Sequence, residues 1–281
     1  MRTVAIYGKG GIGKSTIASN LSAALSHMDE KVMQIGCDPK RDSVALLCGG
    51  LKKTILECLD EGMSEEIFSK VIHSGYNGIY CIESGGPKPG SGCAGRGVAQ
   101  ALGFIEQYRV FENYGITFAL FDVLGDVVCG GFAQPVKDGF AKQVYLVTSG
   151  EILSILQMNN VCMSIISIAE SYGSCTISGI ISNMRGVPHE EEIVEEIAGI
   201  MGLPVIIHIP RSHTVQNAER EGKTVIEAYP EDSQAKIYRD LAAKILSSDP
   251  DETFSPNPVS LSEIKNVIKK YMPSQGYATH N

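Results

Sequence analysis

Val4-Ala5-Ile6-Tyr7-Gly8-Lys9-Gly10-Gly11-Ile12-Gly13-Lys14-Ser15-Thr16 is the stretch on which the fold turns. Four apolar residues run into a glycine-rich turn. Beyond the turn Ile17, Leu21, Ala24, Leu25 and Met28 recur at helical spacing. Strand, loop and helix in that order satisfy G-x-x-x-x-G-K-[ST] in the context the motif requires. Glycines let backbone N–H groups wrap phosphates, and the helix N-terminus adds partial positive charge. Gly8, Lys9, Gly10, Gly11, Ile12, Gly13, Lys14, Ser15 and Thr16 are therefore expected to bind a nucleotide. Lys14 is expected to reach the β- and γ-phosphates, and the Ser15 hydroxyl to bind Mg²⁺.

Outward from this loop, short apolar runs alternate with helix-length segments. Strands are expected at Val4–Tyr7, Lys31–Ile35, Ile79–Ser84, Thr117–Asp122, Gln143–Val147, Ile177–Ser182 and Val205–Ile209. They are continuously apolar rather than alternating, as in strands covered on both faces. The expected fold class is α/β: a single P-loop NTPase domain with a mainly parallel sheet flanked by helices, and ligands at the C-terminal strand edges. Ser247–Pro258 is rich in Ser, Asp and Pro and reads as a linker. After it, Leu261, Ile264, Val267, Ile268 and Tyr271 form the apolar stripe of a short helix that docks on the body or a partner subunit. The division expected is one P-loop ATPase domain over 1–246, with a linker and docking helix over 247–281.

The chain has 281 residues and a formal charge of −8, which argues against a broad nucleic-acid footprint. No apolar run approaches the roughly 20 residues of a spanning helix. The chain enters a strand directly after Met1-Arg2-Thr3, and a cytoplasmic location without membrane association is expected. Eight cysteines stand at 37, 48, 58, 81, 93, 129, 162 and 175, with no CxxC pair among them, which excludes the usual zinc ribbon and thioredoxin-type motifs. Cys48, Cys58, Cys162 and Cys175 lie in or beside apolar segments and read as packing residues.

Two acidic segments complete the nucleotide site. The second strand runs into Asp38-Pro39-Lys40-Arg41-Asp42, and the fourth ends at Asp122, followed by Gly125 and Asp126. Asp122 is placed like a carboxylate that holds Mg²⁺ through water. Asp38, Asp42 and Asp126 are candidates for orienting the attacking water and sensing the γ-phosphate, with Asp38 and Asp126 joining Lys9 and Lys14 as catalytic candidates. A solvated loop explains any one of these carboxylates equally well.

Lys9, a second lysine inside the loop, resembles the deviant Walker A (SIMIBI-type) branch of P-loop proteins. That branch includes partition ATPases, arsenite-pump ATPases and nitrogenase iron proteins. The resemblance implies a nucleotide-bridged homodimer in which Lys9 reaches the partner's nucleotide. Cys93 lies in Gly85-Gly86-Pro87-Lys88-Pro89-Gly90-Ser91-Gly92-Cys93-Ala94-Gly95-Arg96-Gly97, and Cys129 in Asp122-Val123-Leu124-Gly125-Asp126-Val127-Val128-Cys129-Gly130-Gly131-Phe132. With the phosphate loop and Gly36-Cys37-Asp38-Pro39-Lys40, these segments resemble the nitrogenase iron protein (dinitrogenase reductase) family over nearly the whole chain.

The resemblance implies that Cys93 and Cys129 of two subunits ligate one bridging [4Fe–4S] cluster, since a cubane needs four thiolates. It implies ATP and Mg²⁺ as further cofactors, and Lys40 and Asp42 beside the phosphates. Adenosine contacts fall on Asn183, Gln216 and Gln234, with Pro210, Arg211 and Glu219 nearby. Arg96 matches a surface arginine that some members have ADP-ribosylated. The implied partners are a nitrogenase or nitrogenase-like catalytic component as electron acceptor and ferredoxin or flavodoxin as electron source.

The chain departs from the family at Lys40-Arg41-Asp42-Ser43-Val44, at Thr148-Ser149-Gly150-Glu151 and at Ser212. These positions usually read Lys-Ala-Asp-Ser-Thr, Cys-Ser-Gly-Glu and Asp. None of them removes a phosphate or cluster ligand, so the departures bear on the partner: dinitrogenase, or a tetrapyrrole-reducing enzyme such as protochlorophyllide reductase or the coenzyme F430 reductive cyclase. The alternative reading is a ParA/MinD-like partition or positioning ATPase without a cluster. Cys93 and Cys129 in glycine-rich settings, and the acidic balance, speak against it.

Overall fold

The computed structural model describes residues 1–59, 64–86, 94–125, 133–172 and 175–272. Cys93, Asp126 and Cys129 lie outside these residues. All seven expected strands form, as β1 (Arg2–Gly8), β2 (Val32–Cys37), β4 (Tyr80–Glu83), β5 (Phe118–Val123), β6 (Gln143–Thr148), β7 (Thr176–Asn183) and β8 (Val205–Ile209). An eighth, β3 (His73–Ser74), was not expected, because two residues carry no periodic pattern. The order is β3-β4-β2-β5-β1-β6-β7-β8, parallel throughout except for β3 against β4.

β1 lies near the middle of this sheet because its residues pack on both faces. Val4 and Ile6, with Phe118 and Leu120 of β5, enter a core under α1 (Lys14–Ser26) and the helix Ser233–Ser247. Ala5 and Tyr7, with Ala119 and Phe121, enter the opposite core under the helices Ala94–Gln107 and Ile152–Tyr172. That two-sided burial is the reason the strands read as continuous apolar runs.

One expectation needs correction. The helix Ile152–Tyr172 has 21 residues and contains an 18-residue window of mean hydropathy 1.6, long and apolar enough by length and composition to cross a membrane. Ser154, Asn159, Asn160, Ser164 and Ser167 interrupt its apolar run in the sequence, yet none is charged, so the average stays high. Ile155, Met158, Val161, Cys162 and Ile165 are buried against the sheet, as in a core helix of a folded domain.

The helix Leu261–Tyr271 begins in a Ser260–Glu263 capping box and lays Ile264 and Val267 into the same core. Asn159 fixes its approach: the side-chain amide donates to the Val259 carbonyl at 2.9 Å, and its oxygen accepts the Val259 N–H at 2.8 Å. Lys270 and Tyr271 close the far end on Glu196. Asn159→Ala strands two buried backbone groups and should cost about 1–3 kcal/mol, and Ile264→Ala about 2–5 kcal/mol. Exposed Lys265→Ala should stay within about 0.5 kcal/mol of the parent, all read from urea midpoints.

Candidate functional site

Four strand ends meet at the C-terminal edge of the sheet. Register places Ile6 of β1 and Gly36 of β2 on either side of Asp122 of β5, and Gly8 beside Val147 of β6. Gly11 and Gly13 have positive φ, +75° and +100°, which lets the loop turn its amides inward. A Cβ on Gly13 would stand 2.5 Å from Asn183 Nδ2. That amide instead donates to the Ile12 carbonyl at 2.6 Å, while the Arg185 guanidinium donates to the Gly11 carbonyl at 2.5 Å. The loop is thus braced from the end of β7 and the residues after it, and Lys14 Nζ donates back to the Lys9 carbonyl at 3.2 Å. The first turn of α1 has no acidic residue and no side-chain cap, so its leading N–H groups are left for an anion.

Asp122 is buried, and burial pushes its carboxyl above the usual carboxylate range. Hydrogen bonds from Ser15 and Ser43 and the Lys14 charge work in the opposite direction. Its Oδ2 has no hydrogen-bond partner among the described residues. A buried carboxylate oxygen with an open valence beside the Ser15 hydroxyl fits a hydrated divalent cation. Glycine cradle, Lys14, helix N-terminus and this oxygen together fit a magnesium–nucleotide complex.

The other expected residues are placed as follows. Asp38 caps its own turn by accepting the Lys40 N–H at 2.9 Å, while Lys40 and Asp42 are exposed. Arg211, Gln216 and Glu219 share with Asn183, Gly13 and Thr16 a cavity of about 150 Å³, and Thr16 Oγ1 donates to Glu219 at 2.8 Å. Gln234 is buried, and its Nε2 has no hydrogen-bond partner among the described residues; Gln234 and Pro210 do not line that cavity. Lys9 lies across the loop, in a second cavity of about 250 Å³ with Glu151, Arg185 and Arg211.

Sequence reading missed Glu190. Its carboxylate, 2% exposed, accepts the backbone N–H groups of Gly150 (2.8 Å), Arg185 (2.9 Å), Gly186 (2.9 Å) and Val187 (3.0 Å). It thereby sets the two loops that carry Glu151 and Arg185 to the phosphate loop. The available signal was an acidic run, Glu190 to Glu192, at a helix start, which reads as ordinary dipole complementarity. The departures from the family pattern are satisfied locally. Arg41, at φ +61°, pairs with Glu57; the Thr148 hydroxyl bonds with Ser154 at 3.1 Å; Ser212 caps its helix by accepting the Thr214 N–H at 3.1 Å.

Gly125, the last described residue before the Cys129 segment, lies against the phosphate loop. A Cβ there would stand 2.3 Å from the Gly8 carbonyl oxygen, 2.6 Å from the Gly10 nitrogen and 2.7 Å from Lys14 Nζ.

Fold and site together define a P-loop nucleotide hydrolase. Solved structures agree on the fold: MinD from Pyrococcus horikoshii bound to Mg-ADP superposes with a TM-score of 0.69 at 20% identity, covering 88% of this chain and 97% of that one. MinD from Pyrococcus furiosus gives 0.66 at 21%, covering 87% and 98%. Sequence comparison resolves the branch. Residues 2–273 match the model of the 4Fe-4S iron sulfur cluster binding proteins, NifH/frxC family, and the chain belongs to that family. It is 43% identical over 277 residues to the nitrogenase iron protein of Methanospirillum hungatei, covering 98% of this chain and 97% of that protein. It is 46% identical over 271 residues to nitrogenase iron protein 2 of Methanothermobacter thermautotrophicus, covering 96% and 98%. The protein is accordingly an ATP-hydrolysing oxidoreductase component that uses a [4Fe–4S] cluster and MgATP.

Behind the site, burial pushes the fully enclosed Glu83 carboxyl up to about 8. The Val44 N–H lowers it, and the Asp122, Asp42 and Asp38 charges raise it further. A carboxyl with a raised folded-state pKa is easiest to bury when protonated. Its contribution to stability is fully present below the unfolded value of 4.5 and is lost as pH rises through about 8. The nucleotide-free protein should therefore lose thermal stability between about pH 4.5 and pH 8, and Glu83→Gln should flatten that slope in a melting series.

Proposed function

We propose that two copies of this chain form the reductase that couples MgATP hydrolysis to one-electron transfer into a nitrogenase or nitrogenase-like catalytic component. Ferredoxin or flavodoxin supplies the electron. The observation that carries the reading is Gly125: the stretch leading from Asp122 to Cys129 leaves the sheet in backbone contact with the phosphate loop and Lys14. Both quoted relatives are named nitrogenase iron proteins, in line with the acceptor proposed.

In this reading Lys14 faces the β- and γ-phosphates, Ser15 binds Mg²⁺, and Asp122 holds a water on the metal. Asp38 orients the attacking water, Asp126 reads the γ-phosphate, and Lys9 reaches the nucleotide of the other subunit. Lys40 and Asp42 flank the phosphates, while Asn183, Pro210, Arg211, Gln216 and Gln234 form the adenosine side. Cys93 and Cys129 of each subunit supply the four thiolates of one shared cluster, which when bound provides the one-electron couple. Residues 1–246 form the working body, and 247–281 a linker and docking segment held by contacts of the Asn159–Val259 kind. ATP acts here through its different affinity for two arrangements of the dimer.

Lys14→Ala removes the ammonium that faces developing phosphate charge and should lower ATP turnover by about 10²-fold or more with the fold intact. Unchanged turnover would remove the nucleotide assignment. Anaerobic iron and sulfide analysis should find about four irons per two chains. Cys93→Ser and Cys129→Ser should each lose them all, because symmetry removes two thiolates at once. Cys58→Ser and Cys162→Ser should keep the iron. Full iron in either Cys93 or Cys129 variant would break the shared-cluster reading.

A further inference from the structure

Glu83 ends β4, is fully buried, and holds no nucleotide or cluster in the reading above. Its Oε1 accepts the Val44 N–H at 2.8 Å, while Oε2 has no hydrogen-bond partner among the described residues. Register sets Gly36 of β2 between Glu83 and Asp122. The Glu83 carboxyl fills the space above Gly36: a Cβ built there would stand 2.1 Å from Oε2 and 2.7 Å from Ser43 Cβ. One carboxyl thus occupies the position of a missing side chain and grips the end of the nucleotide-facing segment 38–44.

The contact is repeated by backbone at Gly86, where a Cβ would meet Pro39 Cβ at 2.4 Å, at the start of the same segment. The helix Ala94–Gln107 closes the other side, because a Cβ on Gly97 would stand 3.0 Å from the Gly85 carbonyl oxygen. Residues 83–86 are therefore pressed between segment 38–44 and the helix that follows Cys93 in sequence. Close-packed groups pass a displacement on rather than absorb it.

We propose that Glu83 is a positioning residue that couples segment 38–44 to both roots of the Cys93 segment. Each subunit then has a second route from nucleotide to cluster beside the Asp122–Cys129 stretch. The inference rests on the nucleotide and cluster assignment under Proposed function. A carboxyl with one oxygen committed to Val44 and the other unpartnered can hold one arrangement of 38–44 and be re-aimed when that segment moves, which is what a two-state coupling element requires.

The test compares anaerobically purified homodimers of the parent, Glu83→Ala and Glu83→Gln. Three quantities are read: MgATP affinity, the rate at which an iron chelator strips the cluster with and without MgATP, and amide hydrogen exchange over residues 83–86 and 94–97 with and without MgADP. Glu83→Ala should keep its iron and bind MgATP within about threefold of the parent, while its nucleotide-induced change in chelation rate shrinks about tenfold. Its exchange at 83–86 and 94–97 should no longer respond to MgADP. Glu83→Gln keeps an oxygen for the Val44 N–H and should recover most of the response, which a merely space-filling role would not separate from alanine. A parent-sized response in Glu83→Ala overturns the coupling, as does an equal loss in both variants. Gly86→Ala, which presses on Pro39 from the other end, should also shrink the response, and a full response there overturns the coupling even where Glu83→Ala fails to fold. A parent that ignores MgATP sinks the underlying assignment with it; a responsive parent beside a responsive Glu83→Ala sinks the coupling alone.

Discussion

The exit of β5 can lie against the phosphate loop only because position 125 has no side chain. Any Cβ there would collide with the Gly8 carbonyl, the Gly10 nitrogen and the Lys14 ammonium at once. Gly8 imposes the same condition on the opposite side, where a Cβ would stand 2.4 Å from the Val147 carbonyl oxygen. Three adjacent strands, β5, β1 and β6, thus converge at backbone contact distance where they leave the sheet. Asp122 comes within reach of Ser15 because of this convergence. So does the placement of Lys14 over the chain that runs toward Cys129.

Such close convergence has an electrostatic consequence. Asp122 and Glu83 are both buried and both pushed toward protonation, with Asp38 and Asp42 adding negative charge nearby. Against them stand Lys14 and the uncapped start of α1. A magnesium–phosphate complex answers both needs: the metal offsets the carboxylates, and the phosphates occupy the positive loop. A site so poorly balanced on its own has different preferred arrangements with and without its ligand, the property a nucleotide-driven dimer requires.

Much of this was legible from the sequence. Seven apolar runs became seven strands because two-sided burial leaves a mark that needs no tertiary context. The phosphate loop was legible because its glycines, lysine and flanking elements are contiguous. Glu190 and Glu83 were not, since their roles depend on backbone amides brought to them by folding: four from two separate loops for Glu190, and one from Val44 for Glu83. The residues of the expected adenosine side separate for the same reason: Gln216 lines the cavity beside the phosphate loop, whereas Gln234 is buried and does not line it. The helix Ile152–Tyr172 misled. Its uncharged Ser and Asn residues broke the apolar run to the eye, yet an 18-residue window of it keeps the mean hydropathy of a membrane span.

The same fold serves proteins as distant as the MinD structures at 20–21% identity, so the fold alone does not make a reductase. What distinguishes this chain is where its two cysteine segments depart. Cys93 follows β4 and Cys129 follows β5, and in the sheet these strands lie on either side of β2. The exit of β2 is the segment that begins at Asp38. A single segment therefore lies between the roots of both cysteine segments, packed on one through Pro39 and Val44 and on the other through Ser43. In the proposed dimer, with Cys93 and Cys129 of both chains on one cluster, a shift of that segment would act on both cysteine segments of each subunit, and the two-fold axis would make the effect symmetric. The strand order, more than any one residue, is what allows a common ATPase scaffold to address a cluster held between two chains.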